Sequence, residues 1–354
     1  MNIARRGERP LEIDEFKLHV AQAMSLEHVG VLLGAGASVA CGGQTIAGLW
    51  TKFQQDEKAT ADWLVKNSFL DLFELDPVNI EALIDDVAVA LKDAERRGTG
   101  ADELRDARNA LLRAVLRAAR LDDGWLCDPS SAAGDARLDH HVRLLTRLAY
   151  SRQPGQPAPW VFTTNYDMAV ELAAESASLH VRDGFRGFHH RLFTPSAFDL
   201  GLRNTEARGE AQFGTYEVYL AKLHGSLSWQ ATSDGGVRSV QIATACRDVQ
   251  EFLDGKRQAP PSILVFPSSA KFVDTVGFVY GELMRRLTHF LAKPNVCLLI
   301  NGYGFGDNHL NRILLSALHN PTLQLIVYLP EVDGFDADGH ATNLTTLTKG
   351  QQAF

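Results

Sequence analysis

The sequence predicts an α/β fold: a parallel sheet of about six strands with helices on both faces and a helical module inserted into it. Three observations carry that expectation. Short apolar runs, each the length of a strand buried on both faces, recur at wide spacing. Four of them lead into loops of glycine and small polar residues, as parallel strands do at the carboxyl ends where ligands bind. Between the first run and the second, over residues 47–155, β-branched runs vanish and apolar residues repeat at helical spacing.

The first run, Val29-Gly30-Val31-Leu32-Leu33, gives way to Gly34-Ala35-Gly36-Ala37-Ser38. From Ala47 to Tyr150 helix formers dominate. Asn79 followed by Ile80, Leu83, Ile84, Val87 and Leu91 reads as a capped amphipathic helix. Leu104, Ala107, Leu111, Val115 and Ala118 share one helical stripe, and Leu138 to Tyr150 reads as a helix that returns to the sheet. The Pro/Gln stretch from Gln153 to Pro159 forbids helix and marks a boundary near residue 155. Further strands are expected at Trp160–Phe162, Val218–Leu223, Ile263–Phe266, Val296–Ile300 and Leu323–Tyr328. Arg186 to Gly214 is polar and aromatic without a period and reads as a long loop. The expected organisation is a discontinuous sheet domain over 1–46 and 156–330, a helical module over 47–155, and a polar tail over 331–354.

Composition narrows the function classes. The 354 residues carry 43 acidic and 35 basic side chains, a net charge of −8, which argues against a protein that wraps nucleic acid by neutralising phosphates. Arg5, Arg6 and Arg9 are followed by Leu11-Glu12-Ile13-Asp14-Glu15, so no apolar leader core follows, and no apolar run reaches about 18 residues. A cytoplasmic protein with no membrane segment is expected. Cys41, Cys127, Cys246 and Cys297 are isolated, with no Cys-x-x-Cys pair to supply half a zinc site, so no metal is expected and each cysteine reads as a small buried hydrophobe.

The chemistry lies in the loops. Gly34-x-Gly36 after a strand is a phosphate cradle, with Ala35 and Ser38 in the same turn and a following helix amino end to face a pyrophosphate. The usual dinucleotide fingerprint is incomplete: Val39 stands where a third glycine belongs, and Asp56 and Glu57 lie in a helical stretch rather than at the end of a second strand, which disfavours an ordinary dehydrogenase. In Thr163-Thr164-Asn165-Tyr166-Asp167, the Asn165 amide can hold a water or a ribose hydroxyl, Tyr166 reads as packing, and Asp167 either caps the next helix or serves the ligand. His224, in Lys222-Leu223-His224-Gly225-Ser226, stands at a strand end with only Gly225 beside it, a position suited to a general base with an exposed ring nitrogen. In Gly302-Tyr303-Gly304-Phe305-Gly306-Asp307 the glycines allow close approach to a ribose, and Asp307 either caps the next helix or touches the ligand.

Taken in order, these four segments resemble the sirtuin-like NAD-hydrolysing domains of bacterial antiphage defence systems. Trp229 after the histidine motif, Asp183-Gly184-Phe185-Arg186-Gly187 and Pro267-Ser268-Ser269-Ala270-Lys271-Phe272 extend the resemblance, which spans residues 29 to 329. It implies a Rossmann-like sheet that binds NAD as substrate across the strand ends, with Asn165 and His224 as the catalytic pair. Gly34, Ala35, Gly36, Ser38, Thr164, Asp167, Gly225, Gly302, Tyr303, Gly304 and Asp307 would then bind the nucleotide. The chain departs from the protein-deacylating sirtuins in lacking their four-cysteine zinc module and in carrying Thr45-Ile46-Ala47-Gly48 where those have Pro-Asp-Phe-Arg. Defence members of the family often work with a second protein, such as a HerA-type hexameric ATPase or an Argonaute. This sequence has no Walker A motif, so a partner of the HerA type, self-assembly into a homo-oligomer, or both are expected to supply activation. Hydrolysis of NAD to nicotinamide and ADP-ribose is the leading expectation. Deacylation, ADP-ribosyl transfer and binding without turnover are the alternatives.

Overall fold

The computed structural model describes residues 4–6, 9–70, 78, 80–121, 125, 128–153, 155–201, 216–261, 263–264 and 273–329. Six strands, β1 (His28–Leu33), β2 (Trp160–Thr163), β3 (His180–Arg182), β4 (Glu217–Lys222), β5 (Val296–Asn301) and β6 (Leu323–Tyr328), form one sheet in the spatial order β6-β5-β1-β2-β4-β3. Every neighbouring pair is parallel. Leu33 is in register with Asn301 on one side and Thr163 on the other, and Thr163 with Lys222, so four strands end on one line and their loops emerge side by side. From β1 the chain proceeds to β2 on one side, whereas β5 and β6 lie on the other, which makes the β1/β5 boundary the switch point where α/β sheets open a crevice.

Among the described residues ten α-helices accompany the sheet: α1 (Ile13–Met24), α2 (Ile46–Asp56), α3 (Lys58–Lys66), α4 (Ile80–Arg97), α5 (Ala101–Ala119), α6 (Asp139–Tyr150), α7 (Ala169–Ser176), α8 (Ile242–Leu253), α9 (Val273–Leu291) and α10 (Asn308–Ala317). Successive strand residues point to opposite faces. Val29, Val31, Leu33, Val161, Leu220 and Leu299 therefore join one apolar cluster, together with buried residues of α1 to α8. Leu32, Phe162, Ala221, Leu298 and Ile300 join the other, with α9 and α10. The α/β parallel sheet with helices on both faces is thus the fold. The helices of residues 46–150 do not pack apart from the sheet: Leu83, Leu111 and Leu148 share the cluster that contains Val31 and Val161.

Two sequence expectations need correction. The sixth strand of the sheet is His180–Arg182, whereas Ile263–Leu264 pairs antiparallel with Gly225–Ser226 outside it, and Val265 and Phe266 fall outside the described residues. An edge strand of three residues with only Arg182 buried carries no hydrophobic period to read; it is held instead by the Arg182 guanidinium, which pairs with Glu217 and lies 4.8 Å from the Tyr219 ring centre. The segment read as one long loop also contains order. Phe185–Arg186 and Arg191–Phe193 pair with each other and join Val237–Ser239 and Trp229–Ala231 in a small antiparallel sheet, and Pro195–Asp199 forms a 3-10 turn. Asn79, read as a helix cap, and the tail 331–354 lie outside the described residues.

The cysteines divide. Burial pushes the Cys41 thiol up to about 11 and the Cys297 thiol to about 12, so neither is a thiolate at neutral pH and both behave as small hydrophobes. Cys246 is only half-buried and is disulfide-bonded, contrary to that reading. Cys127 falls outside the described residues.

Because the helical residues and the sheet share one cluster, Leu111→Ala is expected to cost about 2–5 kcal/mol and to lower the melting temperature of a single cooperative transition. Calorimetry checks this; two separate transitions, with only one moved by the substitution, would show that the helices melt independently of the sheet.

Candidate active site

Four loops meet at the carboxyl ends of β1, β2, β4 and β5, and each is tied to the next by hydrogen bonds. The Asn165 side-chain Nδ2 donates to the Gly34 carbonyl at 3.0 Å and to Ser38 Oγ at 2.9 Å, joining the β2 loop to the β1 loop. The Gly36 N–H donates to the Gly302 carbonyl at 2.9 Å, joining β1 to β5. His224 Nε2 lies 3.0 Å from Asp307 Oδ2, joining β4 to β5, and the Leu227 N–H donates to the Tyr166 carbonyl at 3.1 Å, joining β4 to β2. The ring is closed.

The glycines serve that closure. A Cβ on Gly34 would come within 2.5 Å of the Gly302 carbonyl oxygen, and one on Gly36 within 2.8 Å of the Gly302 Cα. Gly302 itself has φ +68° and would bring a Cβ to 2.1 Å from the Ala37 nitrogen. The close approach that Gly34, Gly36 and Gly302 permit is therefore to one another. Gly304 and Gly306, by contrast, would carry a Cβ into open space. The element after Gly34 is a seven-residue 3-10 helix, Ala35–Cys41, and the Gly34, Gly36 and Ala37 N–H groups are already spent on Asn301, Gly302 and Gly34 carbonyls. Little of the expected helix-end phosphate cradle remains in this loop.

Asn165 is half-buried and fixed from one end. Gly34 O can only accept, so the amide must present its nitrogen there, and the Oδ1 is left without a partner among the described residues. Ser38, receiving one Asn165 proton, passes its own to Asp167 Oδ2 at 2.8 Å, while Asp167 Oδ1 accepts the Ala169 N–H at 3.0 Å at the start of α7. Asp167 is thus both the anchor of the Asn165–Ser38 chain and a partner for the helix end. Lys222, 3% exposed, donates to the Asp167 carbonyl and to Glu171 Oε1, the latter at 3.0 Å, and so braces the same loop from beneath.

His224 is 4% exposed, where the sequence led us to expect an open ring. Its partner Asp307 is the N-cap of α10, accepting the His309 and Leu310 N–H groups on Oδ1 while Oδ2 faces the imidazole. Burial pushes the Asp307 carboxyl up, but the hydrogen bond and charge of His224 and the two backbone donors outweigh it and hold it below its ordinary value. An ionised Asp307 accepts a hydrogen bond from Nε2–H, leaving Nδ1 as the lone-pair nitrogen, with no partner among the described residues. Tyr303 is buried with its hydroxyl donating to Asn311 Oδ1 at 3.0 Å, and Asn311 Nδ2 donates to the Phe305 carbonyl at 2.7 Å. Those bonds hold Phe305 at φ +54°, a left-handed conformation that costs a non-glycine residue about 1–2 kcal/mol.

The residues singled out in the sequence sort by accessibility. Ala35, Gly36, Thr164, Asn165, Gly302 and Gly304 are half-buried or exposed, whereas Gly34, Ser38, Asp167, His224, Gly225, Tyr303 and Asp307 are buried. The first group can touch a ligand as it stands; the second shapes and charges the loops. Sequence reasoning missed Glu81, whose Oε1 accepts the Tyr166 hydroxyl at 2.9 Å from α4. Burial raises its carboxyl above the ordinary range, with the His224 charge and the Tyr166 hydroxyl opposing and Asp307 reinforcing the rise. A signal existed: Glu81 and Asp85 sit four apart on a helix whose neighbouring positions Ile80, Leu83, Ile84 and Val87 are apolar. Lys222 and Glu171 were missed too.

Among the described residues no group of three His, Cys, Asp or Glu side chains is placed to hold a metal ion. A cavity of about 400 Å³ opens on the far side of the β2 loop, lined by Met168, Glu171, Lys222, Arg191 and Trp229 among others, but by neither Asn165 nor His224. The catalytic candidates therefore lie at the loop ring and not in that cavity.

A family model described as a SIR2-like domain matches residues 159–343, which is 185 of the 354 residues and covers the β2, β4 and β5 loops. No curated protein matches the chain.

The glycine contacts give opposite expectations for two neighbouring positions. Gly302→Ala combines a left-handed φ with a backbone clash and is expected to lower stability by about 1–3 kcal/mol, while Gly304→Ala should leave melting unchanged and act, if at all, on ligand binding. Thermal denaturation of the two variants, with and without NAD, checks this, and equal stability of both would contradict the loop packing described here.

Proposed function

The chain belongs to the SIR2-like domain family, and from that premise we propose that it is an NAD+ hydrolase that cleaves NAD+ to nicotinamide and ADP-ribose. SIR2-like domains bind NAD and point to an NAD-dependent enzyme. The observation that carries the finer reading is that, among the described residues, Asn165 and His224 are each tied down at one end and unengaged at the other: Asn165 by its Nδ2 with Oδ1 left over, His224 by its Nε2 with Nδ1 left over.

The leaving group sets the mechanism. Nicotinamide on ribose carries a positive charge and departs neutral, so no general acid is required, unlike glycosides whose leaving oxygen must be protonated. As the C–N bond lengthens, an oxocarbenium-like ribose develops. Asn165 Oδ1 can accept from a water or a ribose hydroxyl and hold it beside that carbon, and His224 Nδ1 can take a proton from the attacking water or from a ribose hydroxyl. Asp307 keeps the imidazole in the required tautomer and stabilises the imidazolium that forms, the role a carboxylate plays behind a catalytic histidine. If an adenine ring nitrogen replaces water, the product is a cyclised ADP-ribose. Asn165→Ala and His224→Ala are each expected to lower NAD turnover by about 100-fold or more while the protein stays folded, and Asp307→Asn to fall between His224→Ala and wild type. Chromatographic separation of the products tests this; wild-type turnover in either alanine variant removes that residue from the mechanism.

On the same reading, the enzyme is a cytoplasmic effector of antiphage defence that acts by depleting NAD, with neither nucleic acid nor a membrane as its direct partner. No helix among the described residues is long and apolar enough to cross a membrane. The buried His224 supports a restrained resting state, since a base only 4% exposed must be uncovered for a substrate to reach it. A homo-oligomer, a partner such as a HerA-type ATPase, or both, would shift the population toward the open state. Light scattering alongside NAD assays across protein concentration, with and without the ATPase, is the measurement: turnover is expected to change with assembly state. A strictly monomeric protein, fully active alone and indifferent to the ATPase, would sink the idea.

A further inference from the structure

We infer that Glu81, carried on α4, is a positioning residue of the catalytic centre that acts on His224 through Tyr166. The inference rests on His224 being the base proposed above. Its geometric basis is a short chain of contacts. Glu81 Oε1 receives the Tyr166 hydroxyl proton at 2.9 Å, and the Tyr166 and His224 ring centres lie 6.4 Å apart with their planes inclined by 39°. Tyr166 is 8% exposed and its backbone carbonyl is held by the Leu227 N–H, so Glu81 acts on a ring that is already confined. On the other side of the imidazole, Asp307 is in direct hydrogen-bond contact.

The packing of α4 does not require an acid there. Ile80, Leu83, Ile84, Val87 and Leu91 already bury its apolar face, and a carboxylate taken from water costs free energy unless a partner repays it. The groups that face Glu81 are Tyr166 from the β2 loop, His224 from the β4 loop and Asp307 from the start of α10, while Asp85, one turn further along α4, acts on Tyr166. The imidazole thus has Asp307 in direct contact and the Tyr166 ring packed beside it, and Glu81 holds the hydroxyl end of that ring.

Three variants test the relay. Glu81→Gln keeps an acceptor for the Tyr166 hydroxyl; Glu81→Ala removes it; Tyr166→Phe keeps Glu81 and removes the link. Glu81→Ala is expected to lower kcat for NAD cleavage by about tenfold or more with KM little changed, with Tyr166→Phe similar and the double variant no worse than the poorer single one, because residues acting as a unit are not additive. Glu81→Gln is expected to retain more activity than Glu81→Ala, since its amide oxygen still accepts the hydroxyl. The His224 ring resonances, followed by NMR in histidine-labelled protein, should move in Glu81→Ala and Tyr166→Phe and stay closer to wild type in Glu81→Gln. Wild-type kcat in Glu81→Ala, losses that simply multiply in the double variant, or His224 resonances unmoved in Glu81→Ala would each overturn the inference. The resonances are readable without turnover, so a wild-type protein that cleaves no NAD while its His224 ring still responds to Glu81→Ala would refute the proposed activity and leave the role of Glu81 standing.

Discussion

The site depends on a mutual fit of backbones at the switch point of the sheet. Gly34 and Gly36 after β1 can lie against Gly302 after β5 only because none of the three carries a Cβ. That contact sets the height of both loops above the strand ends. From the β1 loop hang the Gly34 carbonyl and Ser38 that hold Asn165; from the β5 loop follows Asp307, which holds His224. The two catalytic candidates are thus not anchored to each other directly. Each is anchored to one of two loops whose separation is fixed by glycine, so an error of even one methyl group at the contact would be passed on to both.

Charge is arranged with the same economy. Asp307 answers two demands, capping α10 with one oxygen and facing His224 with the other, and the backbone donors that make it a good cap also help keep it ionised beside the imidazole. Asp167 divides its oxygens likewise between Ser38 and the Ala169 N–H. In both loops the helix that follows the motif is therefore a fixed mount for the carboxylate. The helix positions the acid, and the acid positions the candidate side chain at the loop ring.

Much of this was legible in the sequence, and the gaps have physical causes. Val29–Leu33, Val296–Ile300 and Leu323–Tyr328 announce themselves because strands buried on both faces must be apolar throughout. His180–Arg182 does not, because an edge strand can be held by an arginine pairing across to Glu217 and leaves no hydrophobic trace. The loop motifs were readable as four segments, but their pairing was not: His224 and Asp307 are 83 residues apart, and no spacing rule links them. The open choice at Asp307 between capping a helix and serving the site resolves into both capping and holding His224. Gly34, Gly36 and Gly302 were read as room for a phosphate or a ribose, because a sequence shows that a backbone must approach something closely and not what it approaches. Glu81 was hidden for a further reason: it arrives from a helix outside the sheet, where an acid at a buried position looks like a flaw in an amphipathic pattern.

The position of that acid bears on how such an enzyme could be restrained. His224 is sealed by its surroundings, and Tyr166 beside it is held by a helix from the stretch between β1 and β2. The sheet and its glycine contact offer little to move, since a shift there would break the loop ring and displace Asn165 and His224 together. α4 is different. Its apolar face is part of the shared core, and among the described residues it reaches the catalytic candidates through the Glu81–Tyr166 hydrogen bond, which a small rotation or slide can make or lose without unpacking the cluster. A binding event on the helices would then act first on Glu81, next on the freedom of Tyr166, and last on the exposure of His224. The loop ring would stay intact throughout, which is the division of labour expected when a rigid site is governed by a movable cover.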